Sequence, residues 1–356
     1  MLKKLSILTM GILIFCMVTM APQIFAKEYY LGDVNKDSNI DSSDYLLIKK
    51  FFTKEIELDE ELADVDKNGR ITATDYLKLK YAILSGNPYS LGKIKIIETK
   101  QEELENALEE YQKKNPKIKF SVGIANINND EHFFYNGNET FRSGCTIKAP
   151  YLWYCALQIQ EKNIDWEKTK LKYVKTTEGT SVLRRLNKQN GTTSFSLKTT
   201  MNYVAKYSDN DGYRMLVNKF GTAGFNKLMD KIGSSTKIGG SVGNFGTATA
   251  EDRVTEWKEI YKFLENNNSK EARNLKKWLQ NDSYNYIGRA IGEQTIYMSG
   301  WVKGNGTTND CAVVLTEEPY ILTIFTSDGN YYEKDTDIPE EYLYDIAKIV
   351  NNIWSK

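Results

Sequence analysis

Cys145 and Lys148 are the residues whose types and spacing best suit covalent chemistry. They stand three apart in Cys-Thr-Ile-Lys-Ala-Pro-Tyr, which reads as the start of a helix, so they share a face. A helix N-terminus and a neighbouring ammonium both favour a thiolate, the nucleophilic form of cysteine. Pro150 falls early enough in that helix to be tolerated. Lys148 is the expected general base. The one histidine, His132, lies on a separate hairpin and reads as an exposed strand residue. Cys155 and Cys311 read as core, and Trp153 and Trp166 as packing. Ser208, in Tyr-Ser-Asp-Asn-Asp (207–211), can relay a proton to a leaving group, and Asn210 can hydrogen-bond Lys148 or a substrate amide. In Tyr-Met-Ser-Gly-Trp (297–301), Ser299 can orient a substrate.

Two other clusters suit a metal. Residues 32–44 read Gly-Asp-Val-Asn-Lys-Asp-Ser-Asn-Ile-Asp-Ser-Ser-Asp, and residues 64–75 read Asp-Val-Asp-Lys-Asn-Gly-Arg-Ile-Thr-Ala-Thr-Asp. Oxygen-bearing side chains fall at loop positions 1, 3, 5, 9 and 12 in both. They are Asp33, Asn35, Asp37, Asp41 and Asp44 in the first loop, and Asp64, Asp66, Asn68, Thr72 and Asp75 in the second. Position 7, Asn39 or Arg70, offers its backbone carbonyl. Such a loop wraps a hard cation that takes about six to eight oxygens, so two structural calcium ions are expected. Ser38 stands where the second loop has Gly69, which predicts a more strained first loop.

The elements that must position these residues follow from periodicity. Each acidic loop runs into a helical pattern, Tyr45–Phe51 and Tyr76–Tyr81, giving a small all-α module over 29–87. Residues 88–100 read as a short linker. From residue 101 onward come a helix over 102–113 and a hairpin of Phe120–Asn126 with His132–Tyr135. A helical interior follows over about 147–281. The strands Thr295–Val302, Asp310–Leu315 and Tyr320–Thr326 and a helix Glu340–Trp354 end the chain. That order predicts a multidomain protein whose second part is an α/β sandwich with an inserted all-helical part.

Composition narrows the setting. The 356 residues carry 47 basic and 47 acidic side chains, a balance in which nothing suggests a nucleic-acid partner or a membrane-surface role. Lys3 and Lys4 precede an apolar run, Leu5–Met20, and Ala26 precedes Lys27. This predicts a signal peptide over 1–26 and a secreted, extracellular protein. The run is shorter than the roughly 20 residues of a membrane span, so none is expected in the mature protein. Cys16 lies in the leader. Cys145, Cys155 and Cys311 remain, an odd number that argues for a free thiol over a disulfide framework.

The duplicated loop, with Asp at position 12, resembles the type I dockerin family over residues 29–87. The resemblance implies docking to a cohesin domain of a scaffoldin in a cell-surface cellulosome. Ser42-Ser43 and Ala73-Thr74 match the positions that choose the cohesin, with Lys49, Lys50 and Lys80 flanking them. Residues 101–356 resemble class A β-lactamases and penicillin-binding proteins. Phe-Arg-Ser-Gly-Cys-Thr-Ile-Lys (141–148), Ser-Asp-Asn (208–210) and Met-Ser-Gly-Trp (298–301) fall where that family has S-x-x-K, S-D-N and K-T-G, in order. The resemblance implies an oxyanion hole from the backbone N–H groups of Cys145 and Trp301.

Three departures shape the expected activity. Cys145 replaces the family's serine, and Met298 its third-motif lysine. No Glu-x-x-Leu-Asn loop is evident, since Gly239–Asn244 occupies that region. An alternative register would use Lys303-Gly304-Asn305 as the third motif, and Lys303 could supply charge in either case. The leading expectation is acyl transfer on a peptide or amide, of peptidase, amidase or transpeptidase type, through a Cys145 thioester. The alternatives are a non-catalytic binding or inhibitory module on the same fold, and a β-lactamase-type hydrolase.

Overall fold

The computed structural model describes residues 24–356 apart from 59, 177, 178, 180, 281–283, 303–305 and 328–339, with the backbone alone for 24–27, 95–98 and 302. Most of the expected leader and all of Lys303-Gly304-Asn305 lie outside the described residues. The chain divides into two compact units that meet between Glu102 and Glu103.

The first unit opens with strand β1 (Ile24–Tyr30), followed by helices α1 (Ser42–Phe52), α2 (Glu60–Ala63) and α3 (Ala73–Leu84). The stretch expected as a linker, 88–100, holds a 3-10 turn at Pro88–Leu91 and strand β2 (Lys93–Thr99). β2 pairs antiparallel with β1, and the register from Lys27↔Ile96 to Tyr30↔Lys93 lies beyond the expected cleavage point. The acidic loops and the helices behind them share one design. Asp41 caps α1 and Thr72 caps α3, and the Asp three residues later, Asp44 or Asp75, returns a bond to the cap backbone. Loop positions 9 and 12 are therefore also the two ends of a capping box. The core between the helices is small, formed by Val34, Ile40, Ile48, Ala63 and Leu79.

Helix α4 (Lys100–Lys114) begins two residues before its expected start. The Glu102 carboxylate accepts from the Thr99 N–H at 2.7 Å while Thr99 Oγ1 accepts from the Glu102 N–H at 3.2 Å. The second unit continues with β3 (Lys119–Asn126), β4 (His132–Tyr135) and β5 (Phe141–Arg142), a 3-10 turn at Gly144–Ile147, and α5 (Lys148–Glu161). Next come β6 (Lys170–Lys172), α6 (Val182–Asn190), β7 (Ser194–Ser196), α7 (Leu197–Tyr207), α8 (Asn210–Phe220) and α9 (Ala223–Ile232). The chain then forms β8 (Thr247–Ala248), α10 (Ala250–Asn266), α11 (Lys270–Leu279) and α12 (Tyr286–Ile291). It ends with β9 (Thr295–Val302), β10 (Thr307–Val314), β11 (Tyr320–Ser327) and α13 (Glu340–Trp354).

β3, β4, β9, β10 and β11 form one antiparallel sheet in the order β4-β3-β11-β10-β9. Its side chains alternate between two cores. Cys311, Val313, Ile321 and Phe325 face the helical block, among Tyr151, Val204, Leu216 and Trp257. Ala312, Val314, Leu322 and Ile324 face Leu104, Leu108, Leu343, Ile346 and Val350 of α4 and α13. The α/β sandwich is as expected. The inserted part is helical but also holds the ribbon β6–β7, where Leu171 and Phe195 are buried between exposed or half-buried neighbours. Three-residue strands are too short for their alternation to stand out in sequence.

The two acidic loops have the same backbone. Ser38 lies at φ 69° and Gly69 at φ 83°, and each donates its N–H to the first aspartate of its own loop. A non-glycine residue in the left-handed region costs about 1–2 kcal/mol. Ser38→Gly is therefore expected to stabilise the first unit by up to about 1 kcal/mol, after the greater unfolded-state freedom of glycine is subtracted. Denaturant titration of the first unit measures it, and a lowered midpoint would contradict the strain.

Candidate active site

The turn Gly144–Ile147 enters α5, so Cys145 and Lys148 sit at the helix start as expected, with Pro150 in its first turn. Cys145 is partly exposed, whereas Cys155 and Cys311 are fully buried and all three are free thiols. Burial pushes the Cys155 and Cys311 thiols well up, consistent with structural roles. Lys148 has no solvent exposure. Its Nζ lies within hydrogen-bonding reach of Cys145 Sγ at 3.0 Å, the Ser208 carbonyl at 2.6 Å, Ser208 Oγ at 3.0 Å and Asn210 Oδ1. Asn210 Oδ1 also lies 3.9 Å from Cys145 Sγ. Four residues singled out from sequence thus share one hydrogen-bonded cluster.

The junction of α7 and α8 makes this possible. Ser208 ends α7 in the left-handed region, at φ 50° and ψ 39°, and so turns both its carbonyl and its hydroxyl onto Lys148. Asp209 caps α8 through the Gly212 N–H at 2.8 Å, and accepts from Ser181 Oγ and the Leu183 N–H. Asp211, with no exposure, binds Arg184, Tyr173 and Thr176. Burial raises its carboxyl, but the Arg184 hydrogen bond and those from Thr176 and Tyr173 hold it down at about 2. Both aspartates of the motif are thus committed to structure.

The third motif reaches the site from the edge strand β9. A Cβ on Gly300 would stand 2.8 Å from the Cys145 N, 2.9 Å from the Ser143 O and 2.9 Å from the Thr146 N. Only glycine lets the strand lie this close to the turn that carries Cys145. Ser299 is partly exposed beside it, and the Trp301 side chain is 48% exposed. Met298 is buried in the apolar core shared with the helical block, so at this point of β9 a thioether is committed to packing. His132 is exposed on β4, the opposite edge of the five-stranded sheet from β9, and its Nδ1 contacts the Asp130 carbonyl. It is too far away for a Cys–His dyad.

Some residues at the site were missed in the sequence. The Tyr213 and Phe245 rings lie with centroids 5.9 Å and 5.6 Å from Lys148 Nζ, and the Tyr213 hydroxyl donates to the Asn244 carbonyl at 2.7 Å. Arg253 and Glu256 form a fully buried ion pair on α10. Their i, i+3 spacing amid Val254, Trp257 and Ile260 was legible as two charges on an apolar helix face. Nothing in the local pattern around Phe245 marked it.

In the first unit, Asp64, Asp66 and Asp75 offer carboxylate oxygens within 4.8 Å of one another. Asp33 Oδ1 and Asp66 Oδ1 are buried without a hydrogen-bond partner. Burial, and then the neighbouring Asp44 charge, raise Asp33 to about 6. Crowded carboxylates with orphaned oxygens fit a bound cation that would supply the missing positive charge. The remaining expected ligands order the loops. Asn35 Nδ2 donates to Asp37 Oδ2 at 2.9 Å, the Asn39 N–H to Asp37 Oδ1 at 2.8 Å, and the Arg70 N–H to Asn68 Oδ1 at 3.1 Å.

The tight fit at Gly300 generates a test. Gly300→Ala places a methyl against three backbone atoms that cannot rotate away, and overpacking of this kind costs about 1–3 kcal/mol. The variant is expected to lower the unfolding free energy of the second unit by that amount in denaturant titration; unchanged stability would mean that β9 does not press on the turn.

Residues 101–354 match the family model described as the β-lactamase enzyme family, and residues 31–84 match the dockerin type I domain. No curated protein matches the chain. Among solved structures, a mutant of PBP-A, in an acyl-enzyme complex with penicillin G, is 15% identical, with a TM-score of 0.60 over 71% of this chain and 96% of that one. The TLA-1 extended-spectrum β-lactamase is 19% identical, with a TM-score of 0.62 over 72% of this chain and 100% of its own. A β-lactamase from Francisella tularensis is also 19% identical, with a TM-score of 0.59 over 71% and 98%. At these identities the structures share the fold alone. The family's fold is one of serine-hydrolase-type acyl transfer, and a type I dockerin is a calcium-binding module for cellulosome-type attachment through a cohesin. The chain belongs to the β-lactamase enzyme family and carries a type I dockerin domain.

Proposed function

We propose that the protein is a secreted, cohesin-docked acyl-transfer enzyme. Cys145 is its nucleophile, and its acyl donor is a peptide or related amide. The observation that carries this reading is the 3.0 Å contact between Lys148 Nζ and Cys145 Sγ inside a cluster that also holds Ser208 and Asn210. Lys148 takes the thiol proton as sulfur attacks the carbonyl carbon. The developing oxyanion is received by the N–H groups of Cys145 and Trp301, and Ser299 orients the substrate. Collapse breaks the C–N bond, and Ser208 Oγ, 3.0 Å from the same ammonium, passes a proton to the leaving amine.

The fate of the thioester follows from what surrounds it. The segment 239–246 carries no carboxylate, and Asp209 and Asp211 are bound elsewhere. Aromatic rings of Tyr213 and Phe245 flank Lys148 in place of a water-activating acid. A thioester is intrinsically open to amines, so transfer to an amine proceeds at least as readily as hydrolysis. Met298 supplies no cation for a substrate carboxylate, a loss of roughly 1.5–3 kcal/mol for a charge-assisted hydrogen bond. The substrate is therefore neutral or differently charged at that end, and β-lactams acylate slowly.

The dockerin delivers this domain to its scaffold. Two calcium ions are held by the two loops. Ser42, Ser43, Ala73 and Thr74 are exposed, as are Leu46 and Leu77 at 47% each, and they form the cohesin-facing surface. With so small a core, the module depends on its metal. EDTA is expected to abolish protection from hydrogen exchange in 29–87 while leaving the second unit protected; unchanged exchange in that segment would rule out structural calcium.

A partition assay tests the enzyme. An activated acyl donor with competing amines is expected to give at least as much amide as free acid, and Cys145→Ala to give neither. If only free acid forms, the protein is a cysteine hydrolase. If Cys145 resists iodoacetamide and no acyl-enzyme appears, the fold serves as a binding module.

A further inference from the structure

Beneath the nucleophile turn lies an ion pair that the steps above do not use. Arg253 and Glu256 both have no solvent exposure. Arg253 Nη2 donates to Ser143 Oγ at 2.9 Å, Nε to Thr146 Oγ1 at 3.3 Å, and Nη1 to Thr236 Oγ1 at 3.2 Å and to Glu256. Glu256 Oε1 accepts from Ser234 Oγ at 2.7 Å. Ser143 and Thr146 bracket Cys145. The guanidinium therefore grips the turn by the side chains on either side of the nucleophile, while the turn backbone lies against Gly300.

Taking two charges fully out of water is unfavourable, and apolar residues of similar volume are often as stabilising or more so. Stability alone gives little reason for this pair. A planar fork that spans two specific hydroxyls gives one that a single point charge cannot. α10, which carries Arg253, is fixed in place by the Thr249–Asp252 capping box and follows β8, which pairs with β5 just before the turn. The pair is thus held by α10 and reaches the turn around Cys145 through the Ser143 and Thr146 hydroxyls.

We propose that Arg253, with Glu256 as its buried counter-ion, is a positioning residue that holds the Cys145 N–H aligned for the oxyanion. It acts through Ser143 and Thr146 and touches no substrate. This rests on the thioester reading, and two reactions of Cys145 separate the two ideas. Alkylation by iodoacetamide forms a carbon–sulfur bond, expels iodide and builds no oxyanion. Acylation by p-nitrophenyl acetate forms a thioester, expels p-nitrophenolate and passes through a tetrahedral oxyanion. Cys155 and Cys311 have no exposure, and Cys16 falls in the expected leader, so with Cys16 replaced by serine both reactions report on Cys145.

The experiment measures both rates on the full calcium-loaded chain, for the wild type, Arg253→Lys, Ser143→Ala, and the charge-free pair Arg253→Met with Glu256→Leu. The paired variant guards against misfolding from a lone buried carboxylate, and circular dichroism checks each protein. Loss of one oxyanion donor costs about 100- to 1,000-fold in rate, so misalignment is expected to slow acylation by about ten- to a hundredfold. Alkylation is expected to stay within about twofold. Arg253→Lys, which keeps the charge but loses the fork, is expected to behave like the paired variant. Acylation that survives these substitutions, or a parallel fall in both rates, would overturn the positioning role. A wild-type protein that is alkylated but never acylated would instead overturn the thioester reading, and this one with it.

Discussion

A lysine amine with no solvent exposure has to find its hydrogen-bond acceptors inside the protein, and the second unit is arranged around that demand. Leaving a buried donor unsatisfied costs about 1–3 kcal/mol, more if charged. Lys148 Nζ meets acceptors from Cys145, Ser208 and Asn210. To supply two of them, Ser208 adopts a left-handed backbone at about 1–2 kcal/mol. Hydrogen bonds to a buried amine are worth at least as much, so the strained junction between α7 and α8 holds. The same cluster fixes the 3.0 Å distance between Lys148 Nζ and Cys145 Sγ.

Much of this was legible in the sequence, for identifiable reasons. Strand β9 and helix α13 have the bounds expected from periodicity, because each is a regular run of a single period. That Cys145, Lys148, Ser208 and Asn210 lie together could be anticipated because short motifs bring chemistry-bearing residues close to an element end. The Arg253–Glu256 pair was missed because its importance lies in a contact with Ser143, 110 positions away. Phe245 was missed because an aromatic in a glycine-rich loop carries no period. Residues 88–100 read as a linker because the strand partner, β1, lies more than sixty positions earlier in the chain.

The two units solve different problems with the same element, a helix start. In the dockerin, Asp41 with Asp44 and Thr72 with Asp75 cap helices and at the same time complete two acidic loops. Capping geometry thus sets the geometry of the carboxylates proposed to hold the cation. In the second unit, no side chain caps α5, and its start carries Cys145 and Lys148 instead. One unit uses the helix terminus to arrange carboxylates, the other to place a thiol beside an amine.

The central claim is that Cys145 becomes acylated. Intact-mass spectrometry of the full chain after incubation with a panel of peptide thioesters, peptide amides and β-lactams tests it most directly. The predicted result is a single covalent adduct that maps to Cys145, is absent from Cys145→Ala, forms slowly if at all with the β-lactams, and disappears when an amine is added. An unmodified mass across the panel, or an adduct that persists in Cys145→Ala, would contradict it.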